Sequence, residues 1–311
     1  MRKLNIVFMG TPDFAVPCLA RILQDGHAVS GVFCQPDRPR GRGQRAAFPP
    51  VKALAAQHGI PVFQPESLRD EAIPAQLRAL APDLIVVVAY GKILPVSILE
   101  LPPLGCINIH ASLLPHLRGA APIQWSVLGG DAETGVTSMY MAKGMDTGDI
   151  ILQRKTPIGA EETAGELFGR LSELGADCLA ETIPLLAAGR APRAPQDPRQ
   201  VTCAPMLSKE MAVLHFSLPA SNIVNWVRGM NPSPMARTAY TGQLLKVLKA
   251  GPAPGQYAGN PGELLDRKRL IVGCADGAVE LLQVQPQGKK EMTGAAFLNG
   301  YRLKPGDCFG G

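Results

Sequence analysis

Cysteine pairs are missing from this chain. Its seven cysteines, an odd number, contain no C-x-x-C spacing, and Cys18, Cys34 and Cys106 sit in apolar surroundings. That excludes a disulfide framework or a zinc ribbon as the organising principle and points to reduced, buried thiols in a cytoplasmic protein. The five histidines show no metal-ligand spacing, so no metal is expected. Long hydrophobic runs are missing too. The longest uncharged apolar run covers 84–91, well short of the roughly 20 residues that cross a bilayer, so no membrane partner is expected. Met1-Arg2-Lys3 ahead of 4–9 has the outline of a signal start. Pro12 and Asp13 end that run at about six residues, below the roughly 7–15 of a signal core, and a first strand is expected instead. No internal repeat is present.

What is present supports a large folded body. The chain has 311 residues, 46% of them hydrophobic and 18% charged, which allows two domains with substantial cores. The net charge of +5 is unevenly placed. Residues 1–206 hold 19 Lys and Arg against 19 Asp and Glu, and residues 207–311 hold 12 against 7. A basic C-terminal third behind a neutral body fits an anionic partner, although charge alone is equally compatible with a solvated surface.

Along 1–185 short β-branched runs alternate with helical stretches. Strands are expected at 4–10, 28–35, 84–91 and 106–111, and helices at 14–23, 50–58, 73–81, 95–101 and 123–128. This rhythm predicts an α/β fold with a Rossmann-like, mostly parallel sheet. Further strands at 136–141 and 149–156 precede a long helix at 163–188, opened by the capping pattern Thr163-x-x-Glu166. Residues 189–205 then carry Pro192, Pro195, Pro198 and Pro205 with Arg190, Arg193 and Arg199, the composition of an extended, semi-rigid connector. A helix at 221–228 and short strands at 242–248, 270–273 and 279–284 follow, and they predict a small C-terminal β-barrel of OB-like type. The expected domains are 1–189, a proline-rich linker at 190–206, and a basic barrel at 207–311.

The turn after the first strand, Met9-Gly10-Thr11-Pro12-Asp13-Phe14, lacks the glycines of G-x-G-x-x-G. Pro12 and Phe14 block a close pyrophosphate, so no nicotinamide cofactor is expected. The chemically informative strand is the one near 106–111, followed by Ser112-Leu113-Leu114-Pro115. Strand alternation places Asn108, His110 and Ser112 on one side and Ile107, Ile109 and Ala111 on the other. A central parallel strand is normally apolar on both faces. A polar end therefore suits the crevice at the carboxyl edge of the sheet, unless loop backbone groups simply satisfy the two side chains. The bracketed loop Gly144-Met145-Asp146-Thr147-Gly148-Asp149 is an ordinary turn by itself. It gains meaning if the fold brings Asp146 beside His110, where a carboxylate favours imidazolium and fixes its orientation.

Asn108-x-His110, Ser112-Leu113-Leu114-Pro115, Arg118-Gly119 and Asp146 in Asp-Thr-Gly-Asp together resemble the folate-dependent formyltransferases. The likeness extends along the chain through Gly10-Thr11-Pro12-Asp13-Phe14, Gln35-Pro36-Asp37-Arg38-Pro39-x-Gly41-Arg42-Gly43, Val87-Val88-Ala89-Tyr90-Gly91, Gly119-Ala120-Ala121-Pro122-Ile123 and Gly135-Val136-Thr137. It continues in Leu207-Ser208-Lys209-Glu210, Asn231-Pro232-x-Pro234 and Gly288-Lys289-Lys290-x-Met292. The resemblance implies Asn108, His110 and Asp146 as the catalytic trio. It also implies 10-formyltetrahydrofolate as the formyl donor and an initiator methionyl-tRNA as the acceptor, in a monomeric enzyme needing neither metal nor nicotinamide. Ser112, Leu113, Leu114 and Pro115 line the folate site in this reading, with Ile93 and Leu94 flanking the pteridine. Two departures fall at the edge of that pocket: Ala111 stands where glycine is common, and His116-Leu117 where the family often has a basic and an aromatic residue.

Four arginines, Arg38, Arg40, Arg42 and Arg45, crowd a glycine-containing loop. Guanidinium forks suit phosphate and glycines let a loop mould to RNA; by composition alone a solvated loop fits as well, and the resemblance places it at the acceptor stem. Lys209, Lys249, Arg267, Lys268, Arg269, Lys289 and Lys290 are the candidates for phosphate contacts in the barrel. Other formyl-group enzymes are the nearest alternatives. A purine-precursor enzyme has no use for a basic barrel, and a bifunctional sugar-nucleotide enzyme continues into a second nucleotide-binding domain. A formylfolate hydrolase can be of similar length, and the arginine loop argues against it. A non-catalytic RNA-binding protein has no reason to align Asn108 with His110.

Overall fold

The structure is a computed structural model and describes residues 2–40 and 45–310. In the N-terminal part, β1 (Asn5–Gly10) leads through a short turn into α1 (Val16–Gln24), which starts with a proline in its first turn, where no backbone donor is lost. β2 (Ala28–Phe33) is followed by a hairpin of β3 (Arg38–Arg40) and β4 (Arg45–Ala47), then α2 (Pro50–Gln57), β5 (Val62–Phe63), α3 (Ala72–Leu80) and β6 (Leu84–Val88). Next come α4 (Val96–Leu99), β7 (Cys106–His110), β8 (Arg118–Gly119), α5 (Pro122–Gly129), β9 (Glu133–Tyr140), β10 (Ile150–Pro157), α6 (Ala164–Ala187) and β11 (Cys203–Ala204).

The main sheet has the order β10-β9-β7-β6-β1-β2-β5. Pairings β1–β2, β1–β6, β6–β7 and β2–β5 are parallel, and β7–β9 is antiparallel. The expected mostly parallel sheet is therefore present. Its centre, β6, reads Leu-Ile-Val-Val-Val and is buried at every position, as a strand covered on both faces must be. On one face Val7, Met9, Ile85, Val87 and Cys106 pack with Ile73, Leu77 and Ile98 from α3 and α4. The short edge strand β5 and the hairpin β3–β4 are additions that periodicity did not signal; runs of two or three residues are too short to show a period.

The expected capping box at the start of α6 is formed reciprocally. The Thr163 amide donates to Glu166 Oε2 at 2.9 Å and the Glu166 amide donates to Thr163 Oγ1 at 3.2 Å. Those bonds from Thr163 hold the Glu166 carboxyl below the usual carboxylate range. All seven cysteines are free thiols, five of them buried. Burial pushes Cys106 up to about 12 and Cys34 up to about 11, so neither offers a thiolate at neutral pH.

The C-terminal part contains α7 (Ala220–Gly229), β12 (Arg237–Tyr240), β13 (Gln243–Pro252), β14 (Ile271–Cys274), β15 (Gly277–Pro286), β16 (Met292–Thr293) and α8 (Gly294–Tyr301). Its strands run β12-β13-β15-β14, with β16 pairing β15, in an antiparallel sheet that curls as a half-barrel. Thr241 and Gly242, both at positive φ, close the tight β12–β13 turn. Leu245, Val247, Val272, Val279, Leu281 and Val284 face a core shared with Ile223 and Val227 of α7 and Phe297 and Leu298 of α8. α8 has no counterpart among the expected elements, because its Gly-Ala-Ala-Phe-Leu-Asn-Gly start and end dilute the helical period.

The chain divides into two compact units. One comprises Met1–Pro122, Thr134–Thr156 and Phe168–Ala204; the other comprises Ile123–Glu133, Pro157–Leu167 and Pro205–Gly311. Two segments that precede the proline-rich stretch in sequence thus group with the C-terminal unit, which a boundary placed by composition alone does not convey. No helix among the described residues is long and apolar enough to cross a membrane.

Candidate active site

The parallel strands β1, β2, β6 and β7 all end at the same edge of the sheet, and the loops after β1, β2 and β6 are bound to one another. Gln35 donates through its amide nitrogen to Thr11 Oγ1 at 3.2 Å and through Nε2 to the Tyr90 carbonyl at 3.0 Å. This is the edge at which open α/β sheets bind ligands.

At that edge β7 changes character. Cys106, Asn108 and His110 share one face. Cys106 is covered by α4, with its Sγ 3.5 Å from the Ile98 carbonyl. Two residues on, Asn108 pairs in register with Val87 and Met139, and His110 pairs with Thr137. Asn108 is half-buried, and no hydrogen bond reaches its amide side chain among the described residues. An amide so placed is available to a ligand.

His110 is 6% exposed. Its Nε2 lies 2.9 Å from the Leu117 carbonyl, and a carbonyl only accepts, so Nε2 carries a hydrogen. Nδ1 therefore faces the Asp146 carboxylate, whose Oδ2 is 3.6 Å away. That distance is longer than a hydrogen bond and leaves room for the Nδ1 edge to be shared with another group. Asp146 Oδ2 is itself held by the Gly119 amide, which donates at 2.9 Å. Both Leu117 (φ 58°) and Asp146 (φ 54°) occupy the left-handed region. Aspartate tolerates it and leucine does not, at a cost of about 1–2 kcal/mol. Backbone strain of this kind persists where surrounding contacts over-determine it, commonly at functional sites. The fold thus brings Asn108, His110 and Asp146 together, the last from a loop 36 residues further along the chain than His110.

Ser112 behaves differently. β7 ends at His110, so strand alternation no longer sets the direction of Ser112. Its hydroxyl is fully buried and donates to the His116 carbonyl at 2.6 Å. Thr137 binds the same loop from β9: its Oγ1 donates to the Ser112 carbonyl at 2.6 Å and accepts the Leu114 amide at 3.1 Å. Gln153 adds a bond to the Leu114 carbonyl at 2.9 Å. Leu114 is buried, Leu113 and Pro115 are half-buried, and the Leu114–Pro115 peptide is cis. Leu94 lies in the core with Tyr90 and Ile98, whereas Ile93 is 76% exposed. Of the residues expected at the folate site, Ile93, Leu113 and Pro115 present surface, whereas Ser112, Leu94 and Leu114 are buried.

Gly119 is required by geometry. A Cβ there would stand 2.6 Å from the Ala204 carbonyl oxygen, and φ is 127°. Gly119→Ala is expected to cost about 1–3 kcal/mol and to loosen Asp146; an unchanged denaturation midpoint refutes this.

A match to the family model described as "Formyl transferase" covers residues 3–183, and one to "Formyl transferase, C-terminal domain" covers 206–302. The chain is 47% identical over 312 aligned positions to the methionyl-tRNA formyltransferase of Geotalea uraniireducens, covering 100% of this chain and 99% of the relative. The chain belongs to the methionyl-tRNA formyltransferase family. The relative from Moorella thermoacetica is 48% identical over 309 positions, covering 99% of each. The fold is also that of an N-formyltransferase from Helicobacter canadensis, solved with folinic acid and dTDP-3-aminofucose, at a TM-score of 0.68 and 18% identity over 91% of this chain and 99% of that one.

The basic residues expected to meet an anionic partner fall in two groups. Arg38 and Arg40 bound β3, and Arg42 lies outside the described residues. At the base of that hairpin Asp37 is gripped by Lys52 at 2.7 Å and by Gln64 at 2.8 Å. In the C-terminal unit Lys209, Lys289 and Lys290 are exposed. Lys249 pairs with Glu161 at 2.9 Å and Arg269 with Glu280, which makes these two weaker phosphate candidates. Among the described residues, no cluster of His, Cys, Asp and Glu could hold a metal ion. Residues that sequence reasoning did not select, Thr137, Gln153, Gln196 and Thr202, all support the site through hydrogen bonds to main chain. Thr137 alone had a signal, since it lies in Gly135-Val136-Thr137.

Proposed function

We propose that this chain transfers the formyl group of 10-formyltetrahydrofolate to the α-amino group of methionine on initiator methionyl-tRNA. The observation that carries the reading is an Asn108 amide without a hydrogen-bond partner among the described residues, beside a His110–Asp146 pair, at the carboxyl edge of the sheet, in a chain nearly half identical to enzymes of that name. The residues present fit a folate co-substrate: the half-buried apolar surface of Leu113 and Pro115 with exposed Ile93 suits a flat ring, and Ser112, Leu114 and Leu94 support it from below.

The reaction joins the methionyl nitrogen to the formyl carbon and breaks the bond from that carbon to the folate nitrogen. Asn108 donates to the formyl oxygen as negative charge gathers there, and the Nδ1–H of a protonated His110 adds a second donor from the Asp146 side. Asp146 balances the imidazolium and takes part in moving the amine proton toward the leaving nitrogen. Arg38, Arg40 and Arg42 engage the acceptor stem, and Lys209, Lys289 and Lys290 engage phosphates further along the tRNA. The enzyme works as a cytoplasmic monomer in this reading.

The deciding experiment supplies charged initiator tRNA, 10-formyltetrahydrofolate and, separately, an elongator methionyl-tRNA. Formylation confined to the initiator supports the proposal; folate deformylation without transfer supports the hydrolase. The basic surface has its own signature. Lys289→Ala with Lys290→Ala is expected to lower the salt slope of tRNA affinity by roughly one to two and to raise KM for tRNA. Affinity nearly independent of salt in the unaltered enzyme refutes the phosphate role.

A further inference from the structure

The proline-rich stretch expected to be a connector runs against the catalytic loops of its own unit. Arg193 stacks its guanidinium 3.6 Å from the centre of the Tyr140 ring and reaches Asp149 at 3.9 Å. Ala194 and Ile150 exchange two backbone hydrogen bonds, of 2.8 and 3.0 Å. Thr202 accepts the Leu117 amide on its hydroxyl at 2.8 Å and the Arg118 amide on its carbonyl at 2.9 Å. β11 then pairs in parallel with β8. Between these anchors lies Gln196, whose side chain is fully engaged. Its Nε2 donates to the Asp146 carbonyl at 2.9 Å and to the Gly148 carbonyl at 2.8 Å. Its Oε1 accepts from Arg118 Nε at 3.0 Å and Nη2 at 2.7 Å.

We infer that Gln196 is a positioning residue for the formyl transfer: its carboxamide clamps the left-handed Asp146 turn onto the Arg118–Gly119 segment and so fixes the carboxylate against His110. The inference rests on the reading of Asp146 as part of the catalytic trio. Three facts make the clamp directional. Asp146 is held in the αL region, where its carbonyl and that of Gly148 point at one donor group. Gly119, next to the clamped Arg118, donates to the Asp146 carboxylate from the other side. Leu117, the preceding residue, supplies the carbonyl that orients His110, and Thr202 of the same stretch holds that residue in turn. Gln196 and Thr202 thus hold the two segments that His110 meets, the Asp146 turn at Nδ1 and Leu117 at Nε2. Only a carboxamide satisfies two carbonyls and one guanidinium at once: glutamate keeps the arginine but turns an oxygen toward the carbonyls, and alanine loses all four bonds.

The test compares Gln196→Ala, Gln196→Glu and, as a control in the same stretch, Gln200→Ala, whose side chain among the described residues hydrogen-bonds Asp197 and no catalytic loop. Steady-state rates are measured with both substrates varied, together with hydrogen exchange across 141–149 and circular dichroism. Displacing a catalytic group by about 1 Å can cost about 100-fold. Both Gln196 variants are expected to lose about 10–100-fold in kcat, with KM for folate and tRNA within about twofold. They also gain exchange at 144–148, while Gln200→Ala matches the unaltered enzyme. A Gln196→Glu enzyme with normal kcat overturns the inference, since the Arg118 contact alone is then sufficient. Loss of the folded state in both variants also overturns it, because the role is then structural. If the unaltered enzyme forms no formylmethionyl-tRNA, the functional reading fails, and the exchange comparison still judges the clamp.

Discussion

His110→Ala is expected to lower kcat by about 10²–10⁴-fold, the usual range for a positioned acid–base group, and to leave a folded protein. The ring is buried, but among the described residues its close hydrogen bond goes to the Leu117 carbonyl. Stranding that acceptor costs about 1–3 kcal/mol, a fraction of the stability of a protein with two substantial cores. Chemistry is the larger loss, because the imidazole faces Asp146 with a ring nitrogen. His110→Gln separates the two effects. It can still donate to Leu117 and should recover stability, while the rate stays low. Single-turnover formylation and thermal unfolding measured together decide the matter; a near-normal rate in either variant removes His110 from the mechanism.

Asn108→Ala is expected to reduce kcat by about 10²–10³-fold, equivalent to about 2.7–4 kcal/mol of lost transition-state stabilisation. The accompanying change in stability should be about 0.5 kcal/mol or less, because among the described residues the amide makes no hydrogen bond that its removal could break. The large kinetic effect beside a small stability effect is what separates a donor aimed at the reacting oxygen from a structural asparagine. Asn108→Asp sharpens the contrast, since a carboxylate of the same size turns attraction for the developing oxyanion into repulsion. Stopped-flow rates and denaturant midpoints measure both quantities; a variant that loses stability but keeps its rate reverses the assignment.

Much of this architecture was legible in residue order. The alternation of apolar runs with helical stretches is a local property, and it located β1, β2, β6, β7 and the capped α6 within a few residues. The same periodicity placed Asn108 and His110 on one side of β7, because a strand repeats every two residues wherever it lies. Alternation does not reach Ser112, since β7 ends at His110. Two-residue pairings such as β8 with β11 were invisible for a related reason: they are specified by contacts between distant segments and have no pattern of their own.

Residue types and spacing by themselves pointed to a mostly parallel sheet, a small C-terminal β-barrel with excess positive charge, no dinucleotide fingerprint, and a polar pair on one strand face. Tertiary structure alone decided that Asp146 lies 3.6 Å from His110, that His110 is oriented by the Leu117 carbonyl, and that a proline-rich stretch contributes Gln196 and Thr202 to the same site. The physical reason is range. Periodicity and caps arise from neighbours within about four residues, whereas these contacts join segments from 7 to 85 residues apart. They form only because the closing of the sheet brings their loops to one edge.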